Sequence, residues 1–325
     1  MSKLAVVIGG SGFVGRHVVR ELAKRGWRVR VGVRRPHLAM HLKPMGVVGQ
    51  VQLAQVNVRH QPSLREAMRG ADAVVNLAGI LFQTGKQRFS AIQAAGAANI
   101  AEAARDEGIT NFIQVSAIGA DLESDSLYAQ SKAEGEALVK ERIPGATILR
   151  PSIIFGPEDD FFNRFAGIAS LSPLAPLPLI GGGKTQFQPV YVDDVADAIC
   201  ASLERGPTTK DHFELGGPSI YTFRELMELM LRETGMKRAL IPLPFPIASI
   251  MGIGGQISGM LPFIDPFLTK DQVTLLKSDN VVTLEDSVGT FSDLGIVPTS
   301  LEAILPSYMV RYRKYGQFTE VGDTA

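Results

Sequence analysis

The fold follows from residues 6–15, VVIGGSGFVG, in which a run of apolar β-formers leads directly into a glycine-rich turn. Gly9 permits a tight turn, Gly12 leaves space for the backbone to approach a pyrophosphate, and Gly15 lets the next helix pack closely on the strand. That helix also offers free N–H groups and a favourable dipole to phosphate. A merely flexible glycine loop is the alternative, but the strand–turn–helix order favours a dinucleotide-binding turn. The expected contacts are Gly9, Ser11, Gly12, Phe13, Val14 and Gly15.

Outward from this turn, short β-rich runs alternate with helical patterns through the first half of the chain. Strands are predicted at 4–8, 28–33, 51–58, 73–77, 111–116 and 146–149, and helices at 16–25, 62–69, 89–107 and 128–141. The alternation predicts parallel βαβ units, and therefore an α/β fold with a Rossmann-type doubly wound parallel sheet. The carboxyl ends of its strands then share one edge, where ligands bind.

The regular alternation of strand and helix patterns ends after Arg150, where proline and glycine become frequent. We expect residues 1–155 to form an NAD(P)-binding domain whose sheet is completed by a short strand at 213–215. Residues 156–315 are predicted to form a smaller, mostly helical C-terminal lobe, with helices at 192–205 and 223–234. The polar residues 316–325 are predicted to be a frayed tail.

The overall composition is globular and its charge is balanced, with 33 Lys+Arg and 33 Asp+Glu. Net charge therefore gives no reason to expect nucleic-acid binding. The single cysteine, Cys200, cannot form an internal disulfide, which is consistent with a reducing compartment. His37 and His41 lack an evident third ligand, so no metal site is expected. No targeting pattern precedes the first strand, and we expect the cytoplasmic side of a bacterial membrane.

The end of the second predicted strand indicates which dinucleotide binds. An NAD-preferring site would place Asp or Glu there to hold the ribose hydroxyls. This chain has Arg34 and Arg35 instead, and arginine suits a 2′-phosphate through charge-assisted contacts. A solvated basic turn is the alternative, and NADPH is the favoured cofactor. At neighbouring strand ends, Asn57 and Val58 are expected beside the adenine. Leu77, Ala78 and Gly79 are expected near the dinucleotide.

Three side chains at the same edge could carry chemistry. Tyr128 and Lys132 are spaced i, i+4 on one helix face, and Ser116 ends the preceding predicted strand. Lys132 can lower the pKa of the Tyr128 phenol while Ser116 binds a carbonyl oxygen, so Tyr128 would act as a general acid. Alternatively, Tyr128 and Lys132 only hold the nicotinamide ribose. The residues alone leave both interpretations open.

Residues 239–264 contain no charged side chain. Four prolines interrupt this stretch, and its longest proline-free run, 247–261, is too short to cross a bilayer as a helix. It is therefore either the core of the smaller lobe or an apolar face that docks on a membrane protein or on the bilayer surface.

The motifs resemble the extended or atypical branch of the short-chain dehydrogenase/reductase superfamily. The matching segments are GGSGFVG at 9–15, NLAG at 76–79, YAQSK at 128–132, RPSIIFGP at 150–157 and PVYVDDVA at 189–196. The resemblance adds Pro151 and Ile153 to the cofactor contacts. It also implies an alternative function, that of a free NADPH-dependent reductase acting on a small carbonyl or a sugar nucleotide.

A closer resemblance extends over nearly the whole chain. The segments GPEDDFFNRF at 156–165, QPVYVD at 188–193, GGP at 216–218 and LTKDQV at 268–273 are similar to the NADPH-binding accessory subunits of respiratory complex I. This resemblance implies a tightly held NADPH, little or no turnover, and a structural role near the quinone site. The implied partners are peripheral-arm and membrane-arm subunits, and the implied location is the cytoplasmic face of the bacterial inner membrane. Peripheral membrane contact would run through residues 239–264.

Overall fold

The computed structural model describes residues 2–171, 176–205, 208–258 and 268–318. Its strands are β1 (Leu4–Ile8), β2 (Arg28–Val33), β3 (Val51–Gln55), β4 (Ala73–Asn76), β5 (Phe112–Val115), β6 (Thr147–Pro151), β7 (Ile154–Phe155), β8 (Leu177–Ile180), β9 (Gln186–Phe187), β10 (Val190–Tyr191), β11 (His212–Leu215), β12 (Tyr221–Thr222), β13 (Leu240–Leu243) and β14 (Val288–Gly289).

The helices alternate with these strands. They are α1 (Phe13–Lys24), α2 (Gln61–Met68), α3 (Ala95–Asp106), α4 (Leu127–Arg142), α5 (Phe161–Leu171), α6 (Val192–Arg205), α7 (Phe223–Thr234), α8 (Phe245–Ser258), α9 (Lys270–Leu275) and α10 (Leu301–Met309). A π-helical segment, Ser90–Ala94, leads into α3. Short 3₁₀ segments lie at Pro36–Met45, Gly181–Gly183, Ser292–Leu294, Val310–Tyr312 and Gly316–Phe318.

Eight parallel strands form one sheet in the order β14-β11-β6-β5-β4-β1-β2-β3. The order reverses at β1, as in a doubly wound nucleotide-binding sheet, so the predicted α/β fold is confirmed. The predicted strand at 213–215 is also confirmed, because β11 pairs in parallel with β6. The edge strand β14 was not predicted, since two residues are too few to show an alternating pattern.

Two predicted elements end differently in the structure. Strand β3 stops at Gln55, because Asn57 begins a turn in which its side chain accepts a hydrogen bond from the Arg59 N–H. The helix predicted at 89–107 begins with the π-helical turn. There the Gln93 carbonyl lies so close to Gly135 of α4 that a Cβ on Gly135 would be 2.2 Å from it. Gly135 therefore permits the close approach of the two helical segments.

The first of two compact units comprises Met1–Pro151, Asp193–Leu215 and Thr283–Val297. This differs from the predicted boundary at residue 155, because α6 and the segment containing β14 also belong to this unit. The reason is sheet pairing, since the chain must return to place β11 beside β6 and then β14 beside β11. The core between the sheet and the helices α2 to α4 contains fully buried Ile100, Phe112 and Ile148. Each such side chain stabilises the fold by roughly 1.5–3 kcal/mol.

The second unit comprises Ser152–Val192, Gly216–Val282 and Pro298–Ala325. Its core packs aromatic rings from α5, β9 and α7, among them Phe162, Phe187 and Phe223. A capping box between Thr222 and Glu225 begins α7, and Gly235 in the left-handed conformation ends it. Within the described ranges, no helix is both long and apolar enough to cross a membrane. Residues 259–264 of the apolar stretch and 319–325 of the tail lie outside the described residues.

Candidate functional site

The glycine turn at the carboxyl end of β1 has the conformation expected of a phosphate-binding turn. Gly9 has φ of +83°, a region that L side chains rarely adopt. Its N–H donates to the Gly32 carbonyl at 3.0 Å, and its carbonyl accepts from the Gly12 N–H at 3.0 Å. The turn therefore reverses the chain tightly between β1 and α1.

The glycines of this turn differ in what surrounds them. A Cβ on Gly15 would lie 2.5 Å from the Gly10 Cα and the Gly9 carbonyl oxygen, so Gly15 is needed for the approach of α1 to the turn. A Cβ on Gly12 would meet only the Gly9 carbonyl oxygen, at 3.3 Å. Gly12 is exposed, so the space beside it is open on the side where a phosphate would approach.

No side chain caps or neutralises the N-terminal end of α1. No side chain caps it at Gly12, and it contains no acidic residue. Its N–H groups and positive dipole end are therefore available to an anion. Phe13 and Val14 lie half-buried in this first turn, and Ser11 is half-buried just before it.

The two arginines after β2 are exposed at the same sheet edge. The Arg34 guanidinium donates to the Gln87 Oε1 at 2.7 Å. In the described part of the chain, neither Arg34 nor Arg35 forms an ion pair, so their charges remain available to a phosphate. Sequence reasoning missed Gln87, because a lone glutamine in a loop gives no pattern.

The loops after β3 and β4 complete this edge. Asn57 is exposed, and Val58 is half-buried against the core. Leu77 donates its N–H to the Ile8 carbonyl at 3.0 Å, and Ala78 donates its N–H to the Asn76 Oδ1 at 3.0 Å. The buried Asn76 in turn donates to the Gln114 Oε1 of β5 at 2.7 Å. The backbone that leads to exposed Gly79 is therefore attached to the sheet through the Asn76 side chain.

Lys132 lies near Tyr128 and at the carboxyl end of β5, where Ser116 directly follows the strand. The Lys132 Nζ donates to the Val115 carbonyl at 3.3 Å, directly before Ser116, and lies 5.8 Å from the Tyr128 ring centroid. The Ser116 side chain is 4% exposed, and its Oγ has no hydrogen-bond partner among the described residues. A buried hydroxyl without a partner is costly unless a ligand satisfies it.

The electrostatics of this cluster depend on Lys132. Burial lowers the pKa of the Lys132 ammonium to about 8, and the charge of Glu136 opposes this shift only in part. A lysine with such a pKa exchanges its proton near physiological pH, as acid–base chemistry requires. The three side chains could therefore orient a carbonyl compound and supply a proton to it.

Two buried or half-buried side chains that support the cluster were missed from the sequence. Phe89 packs edge-to-face on Tyr128, with ring centroids 5.7 Å apart. Buried Gln93 donates to the Ile80 carbonyl at 3.2 Å and accepts from the Ser131 hydroxyl at 2.8 Å. A polar residue at a buried position of an alanine-rich helix was the one available indication of Gln93.

The remaining predicted contacts lie further along the chain. Pro151 is buried at the carboxyl end of β6, where its carbonyl accepts from the Ile118 N–H at 3.1 Å. Ile153 is half-buried and belongs to the second unit. The roles of both in cofactor binding stay predictions.

The residues present fit a bound dinucleotide phosphate. Gly12 leaves a cradle that a Cβ would narrow, the first turn of α1 lacks a capping side chain, and the Ser116 hydroxyl lacks a partner. All of these groups lie at the carboxyl ends of parallel strands within the first unit, which is where such ligands bind in doubly wound sheets.

Comparison with known proteins agrees with this geometry. The model of the NAD dependent epimerase/dehydratase family matches residues 5–216. The chain is 37% identical over 320 residues to NADH dehydrogenase (ubiquinone) 1 alpha subcomplex subunit 9, mitochondrial, of Arabidopsis thaliana, covering 96% of this chain and 79% of that one. The protein of the same name from Mus musculus is 34% identical over 314 residues, covering 96% and 81%. A ceramide reductase of Caulobacter vibrioides is 32% identical over 246 residues, covering 75% and 74%.

Proposed function

This chain belongs to the NAD dependent epimerase/dehydratase family and, within it, groups with the mitochondrial alpha subcomplex subunit 9 proteins, and from this we propose a function. It is an NADPH-binding, non-catalytic accessory or assembly subunit of respiratory complex I. It stabilises the peripheral arm near the quinone site, where it contacts peripheral-arm and membrane-arm subunits.

The extent of the similarity carries this proposal. The family model ends at residue 216, so any member of the family shares the dinucleotide site. The similarity to the respiratory relatives covers 96% of the chain and therefore includes most of the second unit. A shared second unit is expected when the relatives share partners as well as a cofactor.

The choice of NADPH over NADH depends on Arg34 and Arg35. Both are exposed and free of ion pairs with described residues, and no acidic residue stands at the end of β2 to hold ribose hydroxyls. A guanidinium binds a phosphate through charge-assisted and often bidentate hydrogen bonds. These features support NADPH as the cofactor.

In this proposal, the site binds NADPH as a structural cofactor and turns it over little or not at all. When bound, a nicotinamide dinucleotide can donate a hydride. Gly12 and the first turn of α1 would hold its pyrophosphate, and Arg34 and Arg35 its 2′-phosphate. Tyr128 and Lys132 would orient the ribose. A ligand bound only to the folded chain stabilises that chain by mass action, which suits a structural cofactor.

Helix α8 provides the docking face for a membrane-arm subunit. Ile247, Ile250, Met251 and Ile253 are exposed on it, and residues 239–264 contain no charge. A protein surface rarely leaves such side chains in water unless a partner covers them. An uncharged apolar face matches the apolar surface of a membrane subunit at the bilayer boundary, and this supports a peripheral position at the membrane, which we propose to be the cytoplasmic face of the bacterial inner membrane.

One preparation tests the proposal. The native protein is isolated from membranes in mild detergent, and both the co-purifying nucleotide and the sedimentation coefficient are measured. We expect NADPH at near-stoichiometric amounts in a particle the size of a respiratory complex. A soluble monomeric pool without association to membranes would overturn it.

A free NADPH-dependent reductase acting on a small carbonyl or a sugar nucleotide is the second candidate. The unpartnered Ser116 hydroxyl beside Lys132 favours it, because that arrangement could bind and protonate a carbonyl oxygen. Steady NADPH consumption by a soluble pool, lost in Tyr128→Phe, would support this candidate over the first.

A further inference from the structure

We propose that residues 36–48, between β2 and β3, form a second docking surface and that this surface binds an anionic phospholipid bilayer. We call these residues the basic-apolar segment. They lie in the first unit, between β2 and the edge strand β3 of the sheet. Neither NADPH binding nor the proposed role of α8 requires this contact.

Charge along the chain is strongly asymmetric around this segment. Residues 22–65 contain nine Lys and Arg and no Asp or Glu, although the whole chain has 33 of each kind. Arg25 and Arg65 form ion pairs with carboxylates outside this region. Lys43 is exposed and forms no ion pair in the described ranges. The same is true of Arg34 and Arg35, which lie just before the segment. An anionic surface is the complement of this charge.

Apolar side chains protrude among these cations. The 3₁₀ helix Pro36–Met45 buries Ala39 and Leu42 but leaves Leu38 62% exposed and Met40 half exposed. Val47 is 74% exposed, and Val48 is fully exposed. The helix is thus attached to the unit by one face while it presents apolar side chains to solvent on the other.

The protruding valines are held in a fixed turn. Gln50 accepts from the Val47 N–H at 2.9 Å, and its amide donates to the carbonyls of Ala23 at 2.7 Å and Trp27 at 2.9 Å. Gly49 supplies the positive φ that the turn requires, +81°. These bonds attach the turn to the end of α1, so ordering the valines at an interface costs little further entropy.

The combination favours a bilayer over a protein partner. Leu38, Val47 and Val48 are each more than 60% exposed, so their side chains stand largely in solvent, and a protein partner would need a complementary cavity to bury them. The interfacial region of a bilayer accepts such side chains without shape matching, while Lys and Arg remain at the level of the phosphates. Because Arg34 and Arg35 are also assigned to NADPH, the surface is defined by Lys43 and the four exposed apolar side chains.

Vesicle flotation of the full chain tests this inference. Vesicles of phosphatidylcholine alone are compared with vesicles that also contain phosphatidylglycerol, at low and at high salt. We expect stronger binding to the anionic vesicles, weakened by salt because the attraction is screened. The difference between the two vesicle types is the readout, since exposed apolar residues on α8 could bind either type. Equal binding to both at low salt would overturn the inference.

Matched variants locate the contact. Lys43→Glu, and separately Leu38→Ser with Val48→Ser, should each lower anionic-vesicle binding about fivefold or more, since one basic residue near such a surface contributes ~1 kcal/mol. Lys277→Glu and Leu284→Ser, at exposed positions outside the segment, should leave it unchanged. NADPH retention and Tm serve as fold controls. Equal effects of test and control variants, or loss of association with the respiratory complex without loss of vesicle binding, would reject a lipid surface.

Discussion

At the scale of single residues, the three glycines Gly9, Gly12 and Gly15 of the turn have separate physical roles. Gly9 adopts the positive φ of the turn, and Gly15 allows α1 to approach the backbone of Gly9 and Gly10. Gly12 leaves space for a phosphate beside the turn. The first two serve the fold of the unbound chain, whereas the third matters only when a ligand occupies that space. Substitutions at Gly12 and Gly15 should therefore have different consequences.

We expect Gly15→Ala to lower the stability of the unbound protein by about 1–3 kcal/mol, because its methyl group would overlap the backbone of Gly9 and Gly10. Gly12→Ala should cost less stability than Gly15→Ala, because its methyl group would meet one carbonyl oxygen at 3.3 Å rather than backbone at 2.5 Å, but it should weaken NADPH binding by narrowing the phosphate cradle. Thermal unfolding with and without NADPH separates the two effects. If Gly12→Ala binds NADPH as the natural chain does, the pyrophosphate site is not at this turn.

Arg34 and Arg35 should decide the preference between cofactors. Removing both guanidinium groups should raise the Kd for NADPH at least about tenfold, because a hydrogen bond to a charged group contributes about 1.5–3 kcal/mol. The Kd for NADH, which lacks the 2′-phosphate, should change little. Arg28→Ala, at the opposite end of β2, is the control. A parallel loss of affinity for both dinucleotides would contradict the assignment.

Lys132 should give the unbound protein a distinct pH dependence. Its pKa is lowered by burial to about 8, below the ordinary lysine value of 10.5 that applies to an unfolded chain. Between these values the folded chain binds fewer protons than the unfolded one, so stability should rise with pH. The gain should not exceed about 3.4 kcal/mol, which is the 2.5-unit difference between the two pKa values at about 1.36 kcal/mol per unit. Denaturant unfolding should show this slope in the natural chain and its loss in Lys132→Met. Lys86→Met, at an exposed position, should keep it.

At the scale of elements, helix α4 carries Tyr128 and Lys132 and is attached to the sheet by a buried ion pair. Glu136 accepts two hydrogen bonds from Arg150 of β6, at 2.9 and 2.7 Å, four residues after Lys132. Breaking one partner of such a pair typically costs 3–5 kcal/mol. The orientation of Tyr128 and Lys132 is thus set by sheet contacts as well as by helix spacing.

Helix α8, in contrast, exposes apolar side chains that nothing in the described second unit covers.

A charge placed on α8 should therefore impair assembly without unfolding the chain. Ile250→Asp should reduce co-sedimentation with the respiratory complex, because an unpaired carboxylate in an apolar interface is costly. NADPH retention and Tm should stay near their natural values, since Ile250 is exposed. Leu171→Asp introduces the same charge at an exposed apolar position of α5. Equal loss of assembly in both variants would remove the specific role of α8.

At the scale of the whole molecule, cofactor binding and partner binding are assigned to different units. Except for Ile153, the predicted dinucleotide contacts lie in the first unit, and the apolar helix α8 lies in the second. A structural cofactor in such a protein needs no turnover, because its binding energy alone favours the folded state.

This division leads to a prediction about Tyr128→Phe. The substitution removes the phenol hydroxyl but keeps the ring that packs on Phe89. Respiratory activity of the assembled complex should remain within about twofold of the natural level, a difference of less than ~0.5 kcal/mol in barrier height. NADH:quinone turnover in membranes checks it. A large loss of activity with NADPH still bound would assign Tyr128 a catalytic role.

The sequence alone was sufficient for the doubly wound fold, the first six strands, and the placement of Tyr128 and Lys132 on one helix. Each of these depends on local patterns: the glycine spacing after β1, the alternation of strands and helices, and the i, i+4 spacing of Tyr128 and Lys132. The direct contacts of Gly12, Arg34 and Arg35 with a cofactor remain predictions, because they require a ligand to be observed.

Only the tertiary structure decided which distant segments belong together. The sequence predicted that a strand at 213–215 completes the sheet, but the inclusion of α6 and of the edge strand β14 in the first unit depends on contacts between distant segments, which no local pattern encodes. The same holds for the buried pair of Glu136 and Arg150, and for the Gln50 bonds that fix the exposed valines beside β3. Short-range periodicity reports which face of an element is buried, whereas side-chain hydrogen bonds across the chain depend on where the folded backbone brings their partners.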